Sequence, residues 1–130
     1  MFDDKYKAEV IECLKNSGWV VTQDPYHVRK HGYNFYVDLE VVSENGEKRL
    51  VEIKSFHKKF LENWYNSIGK MFTYQKALNE AGNTNDLYLA VPVSAYRKHF
   101  QKPFIKNIVE ELNIKLVVYN LKSKKITFFI

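Results

Sequence analysis

An Asn45-Gly46 pair lies between two strand-like runs, Tyr33 to Val42 and Arg49 to Ser55, and a hairpin closed there constrains this chain more than any other local signal. Loop length decides which side chains meet. A two-residue loop at Asn45-Gly46 puts Asp38 on the same face as Ile53 and away from Glu52 and Lys54. A three-residue loop, Glu44-Asn45-Gly46, is a type I turn closed by a left-handed glycine, and it sets Asp38 directly across from Glu52. The apolar pattern selects the second register: Phe35, Val37, Leu39 and Val41 then share a face with Val51 and Ile53. Tyr36, Asp38, Glu40, Glu52 and Lys54 fall on the other face. Two carboxylates opposed across a strand pair repel and weaken the sheet. A divalent cation between them removes the conflict.

At 130 residues and 15.4 kDa the chain is long enough for one domain with a real core and short for two, so a single domain over 1–130 is expected. Hydrophobic residues make up 45% and aromatics 15%, which argues for a folded chain and against disorder. No apolar stretch approaches a membrane span, and Met1-Phe2-Asp3-Asp4 lacks the layout of a secretion signal. A cytoplasmic protein is expected. The single cysteine, Cys13, excludes an internal disulfide and a cysteine-based zinc site, and its place is the buried side of the first helix. Twenty Lys plus Arg against fifteen Asp plus Glu give a formal net charge of +5, which biases the surface toward a polyanion. A cationic chain that nevertheless gathers carboxylates on one strand pair suits a metal and a phosphate.

The remaining elements follow from periodicity. Asp4 to Asn16 reads as an amphipathic helix stopped by Gly18, with Glu9 beside its apolar stripe. Trp19 to Thr22 is a strand ended by Asp24-Pro25, and a basic loop from Val28 to Gly32 carries Arg29 and Lys30. Phe60 to Glu80 suits a long helix ended by Gly82, with Leu61, Trp64, Tyr65, Ile68, Phe72 and Leu78 mostly inward. The run Leu87-Tyr88-Leu89-Ala90-Val91 is a strand buried on both faces. Ser94 to Phe100 and Pro103 to Leu112 are helical, and Lys115 to Tyr119 and Ile126 to Ile130 close the chain as strands. The order helix, three strands, helix, strand, then additions predicts an α/β fold with a central mixed sheet flanked by helices.

Asp38 and Glu52-Ile53-Lys54 on adjacent strands, with Glu9 on a preceding helix, resemble the PD-(D/E)XK nuclease superfamily. A closer likeness spans nearly the whole chain. The blocks Gly18 to Pro25, Val51 to Phe56, Leu87 to Pro92 and Ile114 to Tyr119 resemble the XisH family, the excision controlling factors of the fdxN element. The resemblance implies a restriction-endonuclease-like core, a role in excising a DNA element, and action beside a partner of XisI type. Related nucleases often carry glutamine and tyrosine four residues apart on the second helix. Lys70 and Tyr74 stand there in this chain, and the likeness makes Lys70 a residue that could touch phosphate.

Hydrolysis of a phosphodiester at such a site uses magnesium, with manganese as a substitute, held by Asp38, Glu52 and the backbone carbonyl of Ile53. Lys54 shares the face of Glu52 by strand alternation and would orient water or stabilise the charged transition state. Glu9 would complete the outer shell, and Glu40 is an alternative strand ligand. Lys70, Tyr74, Arg29, Lys30 and Lys58 are candidate DNA contacts, of the kind that fix position without reading sequence. Each residue has a blander reading: Glu52 and Lys54 as a surface ion pair, Glu9 as a solvated helix residue, Lys70 as a surface lysine and Tyr74 as core. The functional expectation is a metal-dependent DNA endonuclease or a subunit of one. Its rival is a catalytically silent regulatory subunit of the same fold working with an XisI-like protein, and a third reading is self-association through Tyr96, Phe100 and Phe104.

Overall fold

In the computed structural model, which describes residues 6–130, the hairpin forms in the register set by the longer loop. β4 (Leu39–Val42) and β5 (Lys48–Ile53) pair antiparallel with Leu39 across from Val51 and Val42 across from Lys48. Beyond them the Ser43 N–H reaches the Glu47 carbonyl at 2.9 Å, leaving Glu44, Asn45 and Gly46 as the loop. Gly46 sits at φ +84°, in the left-handed region the turn requires.

The expected strand from Tyr33 to Val42 is in fact two strands broken at Asp38. β3 (Tyr33–Val37) leaves the main sheet and pairs antiparallel with β2 (Tyr26–Lys30) in a separate ribbon. The alternation slips at the break. Val37 packs with one core cluster and Phe35 against it, whereas Leu39 and Val41 belong to the other. The predicted basic loop is also corrected: Arg29 and Lys30 lie on β2, across from Asn34 and Tyr33.

The main sheet has six strands in the order β1-β4-β5-β6-β7-β8, with β1 (Val20–Gln23), β6 (Asp86–Pro92), β7 (Lys115–Asn120) and β8 (Lys125–Phe129). β5, β6 and β7 run parallel and the outer pairs antiparallel, so the fold is α/β with a mixed sheet flanked by helices. Parallel neighbours need long crossovers. α2 (Phe60–Glu80) supplies the first; α3 (Val93–Ala95), a π-helical segment (Tyr96–Phe100) and α4 (Pro103–Glu111) supply the second. Both edge strands are short, and register irregularities interrupt the pairing of β1 near Val21 and of β7 with β8 near Val118.

Side chains on the two faces of the sheet feed separate clusters. α1 (Lys7–Asn16) buries Val10, Cys13 and Leu14 against Leu39, Val41, Val51 and Ile53. The expected start of this helix, at Asp4, lies outside the described residues, as does the Met1 to Asp4 segment read for a leader. On the other face α2 buries Trp64, Met71 and Leu78 against Leu50, Leu87, Leu89 and Val91. Apolar residues spaced three and four apart give this helix a buried stripe. The expected inward set was too broad, however: Leu61, Tyr65 and Phe72 form an exposed second stripe, Phe72 at 73%. Strand β6 alternates between both clusters and is buried from Leu87 to Pro92, as its unbroken apolar run requires. Arg49 spans three rings, its guanidinium 4.9 Å from Trp19, 4.9 Å from Tyr88 and 4.4 Å from Phe129. Cation–π contacts on several rings hold the open end of this cluster together.

No atom lies within 4 Å of where a Cβ on Gly46 would stand, so Gly46→Ala meets only the backbone penalty of the left-handed region. A loss of about 1 kcal/mol in urea unfolding is expected, with Gly46→Asn less affected because asparagine visits that region more readily.

Candidate functional site

The break at Asp38 removes backbone partners from both strands, and the two carboxylates replace them. Asp38 Oδ2 accepts the Ile53 N–H at 2.8 Å, and Glu52 Oε1 accepts the Asp38 N–H at 3.1 Å. Each acid thus caps the other's strand. Asp38 and Glu52 meet side by side as the hairpin register predicts, and Glu52 is 5% exposed.

A cation already stands beside them. Lys70, on the inner side of α2, forms an ion pair with Glu52 Oε2, and its ammonium lies 5.4 Å from the centre of the Tyr74 ring. Positions four apart on a helix share a face, so α2 delivers both residues to the carboxylates. Burial, followed by the charge of Asp38, pushes the Glu52 carboxyl up to about 6, against the pull of Lys70. Burial by itself would lower the Lys70 ammonium, but the hydrogen bond and charge of Glu52 outweigh it and leave its pKa raised. The phenol of Tyr74 is also raised, chiefly by burial.

Lys54 follows Glu52 by two residues, which places it on the same face by alternation. Its N–H donates to the Ala90 carbonyl at 3.0 Å, continuing the ladder one step past β5. Glu40 is buried on that face too, and its Oε1 accepts the Thr22 hydroxyl at 2.8 Å. Of the two candidate strand acids, therefore, Asp38 is the one joined to Glu52. Glu9 is exposed on α1, whose buried stripe covers the opposite face of the sheet. Arg29 lies exposed on the β2–β3 ribbon, while Lys58 is exposed in the loop between β5 and α2.

The donor set is small. No group of three or more His, Cys, Asp or Glu able to hold a metal occurs among the described residues. Two carboxylates nevertheless suit magnesium, which takes one or two from a protein and completes its octahedron with water and substrate phosphate. The like-charge pair, with the buried Glu52 carboxyl lifted, is the electrostatic condition such an ion relieves. Lys70 was the partner least visible in the sequence; its only signal was its spacing from Tyr74.

The XisH protein family model matches residues 2–127. Two solved structures share the fold across nearly the full length. The crystal structure of an fdxN element excision controlling factor protein from Anabaena variabilis is 31% identical, with a TM-score of 0.89, covering 96% of this chain and 97% of that one. An XisH family protein from Nostoc punctiforme is 30% identical, with a TM-score of 0.90, covering 98% and 99%. No curated protein matches the chain.

The charge balance at Glu52 has a thermodynamic signature. Its folded pKa of about 6 exceeds the ordinary 4.5, so the folded protein binds more protons between those values. Stability contributed here is greatest below that window and falls as pH rises through it, by roughly 2 kcal/mol in all. Urea unfolding at both ends of the window should show this fall in the wild type and its loss in Glu52→Gln.

Proposed function

The chain belongs to the XisH family, and on that premise we propose that it serves the excision of a DNA element as a magnesium-dependent endonuclease or an endonuclease subunit. The working unit would be one restriction-endonuclease-like domain of the PD-(D/E)XK type over residues 1–130. A single observation carries the reading: Asp38 and the buried Glu52 are held side by side, a like-charge pair that opposed strands ordinarily avoid.

Asp38, Glu52 and the Ile53 carbonyl would hold the ion, and manganese would use the same oxygens. Bound there, a divalent cation polarises a phosphoryl oxygen and lowers the pKa of a coordinated water. The protein's own groups account for the rest. Asp38 and Glu52 are positioned by each other's backbone, so neither needs to reorganise. Lys54 would place its ammonium against the charge that builds on the phosphoryl group. Lys70 has a double use, as counter-ion to Glu52 before substrate arrives and as a phosphate contact once Glu52 has another cation. Arg29, Lys30, Lys58 and Tyr74 would hold the DNA backbone without reading its sequence.

One observation favours a second reading, a catalytically silent regulatory subunit working with an XisI-like partner. Lys70 already supplies the positive charge that Glu52 demands, as it would in a site that has exchanged its metal for a fixed ammonium. The exposed stripe of Leu61, Tyr65 and Phe72 on α2 supplies apolar surface for a partner or a second copy. The aromatics first considered for self-association suit this less well: Phe100 is buried and Tyr96 packs against the core, leaving Phe104 exposed.

Under the nuclease reading, plasmid or branched DNA is cut in magnesium and spared in EDTA, and Glu52→Ala or Lys54→Ala lowers the rate on the order of 100-fold or more. Intact DNA of every form, in magnesium and manganese, with and without the partner, overturns it. The regulatory reading stands instead if Glu52→Ala leaves excision in cells unchanged.

A further inference from the structure

The carboxyl ends of adjacent parallel strands β5 and β6 open into a second concavity, separate from the carboxylate pair. It has a volume of about 390 Å³ and is walled by Ser55, His57, Lys58, Lys59, Ser94 and Lys98 among others. Ligands of open α/β sheets sit in the crevice beyond the carboxyl ends of the strands. The size suits one nucleotide-scale group and not a flat duplex contact.

Charge in this pocket is one-sided. Three lysines and two histidines line it, and no Asp or Glu does among the described residues. A concave surface of one sign focuses potential and concentrates a counter-charged ligand. His99, another residue of the wall, stacks its ring on Phe60 at 3.9 Å between centres. Burial, then the charges of Lys102 and Lys98, hold its pKa below the ordinary value.

The wall is also built in advance. Phe56 and Lys59 hold left-handed backbone at φ 51° and 49°, a conformation that residues with a Cβ avoid unless their surroundings enforce it. The enforcing contacts are Phe56 against Phe60 at 5.3 Å and against Phe100 at 5.5 Å, all three rings belonging to the core or packed on it. The His57-Lys58-Lys59 tip is therefore anchored by packing at Phe56, and at its far end the Lys59 carbonyl accepts the Asn63 N–H at 3.1 Å. A merely solvated lysine run needs no such anchoring.

We infer that this pocket is a phosphate-binding subsite that seats one phosphate of a nucleic-acid strand, with Lys58 and Lys98 closing on it from the β5 and β6 sides. The proposal deepens the nuclease reading and relies on it only for the strand as the carrier of the phosphate. His57 lies five residue steps beyond Glu52, a reach of at most ~18 Å of extended chain. At ~3.4 Å of rise per phosphate along one strand, the subsite lies within about five nucleotides of the carboxylates.

The test is fluorescence anisotropy of a labelled single-stranded oligonucleotide with the full chain in EDTA, so that cleavage plays no part. Lys58→Ala with Lys98→Ala should weaken binding at least tenfold and reduce the slope of log affinity against log salt by about 0.7, the share of one phosphate of a single strand. Lys58→Gln with Lys98→Gln, which keeps the aliphatic stems, should behave alike with an unchanged thermal midpoint. Lys122→Ala with Lys125→Ala, at the β7–β8 turn, should change affinity less than twofold. Inorganic phosphate that displaces the strand from wild type more readily than from the pocket variants shows that a free phosphate suffices. If phosphate competes with neither while the pocket variants still bind weakly, the strand backbone is the source. Wild-type affinity in both pocket variants, or an equal loss in the Lys122/Lys125 control, overturns the subsite. A strand that binds through Lys58 and Lys98 in EDTA, yet stays intact when magnesium or manganese is supplied, would sink the hydrolytic reading alone.

Discussion

The exchange of side-chain for backbone hydrogen bonds between Asp38 and Glu52 is the interaction on which the arrangement turns. A continuous strand from Tyr33 to Val42 would have kept its partners in the main sheet. Breaking it at Asp38 frees β3 to turn away and pair with β2, at the cost of two N–H groups that must be satisfied where water is scarce. The carboxylates meet that demand. In doing so they set Asp38 beside the buried Glu52, and Lys70 follows as the counterweight. Strand break, acid pair and inward lysine are linked parts of one solution.

Much of this was legible in the chain. Turn chemistry at Gly46 fixed the β4–β5 register without tertiary information, because a glycine closing a three-residue loop leaves one pairing. Length and periodicity likewise marked α2 from Phe60 to Glu80, and an unbroken apolar run marked β6. The break at Asp38 was not legible. Phe35, Val37, Leu39 and Val41 alternate without interruption in sequence, and alternation is blind to a strand that changes sheets between Val37 and Leu39. The inward face of α2 was over-read for a related reason: two apolar stripes on one helix look alike until a partner covers one of them.

Lys70 shows the same limit at the level of single side chains. A lysine on a helix is ordinarily solvated, and its spacing from Tyr74 says only that the two share a face. What makes it part of the site is the packing of that face over β5, where Glu52 waits in low dielectric. Arg49 is a parallel case on the other side of the sheet. Its place among Trp19, Tyr88 and Phe129 depends on three elements far apart in the chain, so no local pattern announces it.

The margins of the six-stranded sheet carry a last consequence. β1 and β8 are brief, and the pairing beside each is kinked by a register slip. A foreign strand laid along either margin would find few unpaired amides in line and would lose step after two or three residues. Growth of the sheet into fibres or strand-swapped dimers is therefore discouraged by geometry. Association through the margins of this sheet is thereby disfavoured relative to its helical flanks and loop-bearing rim.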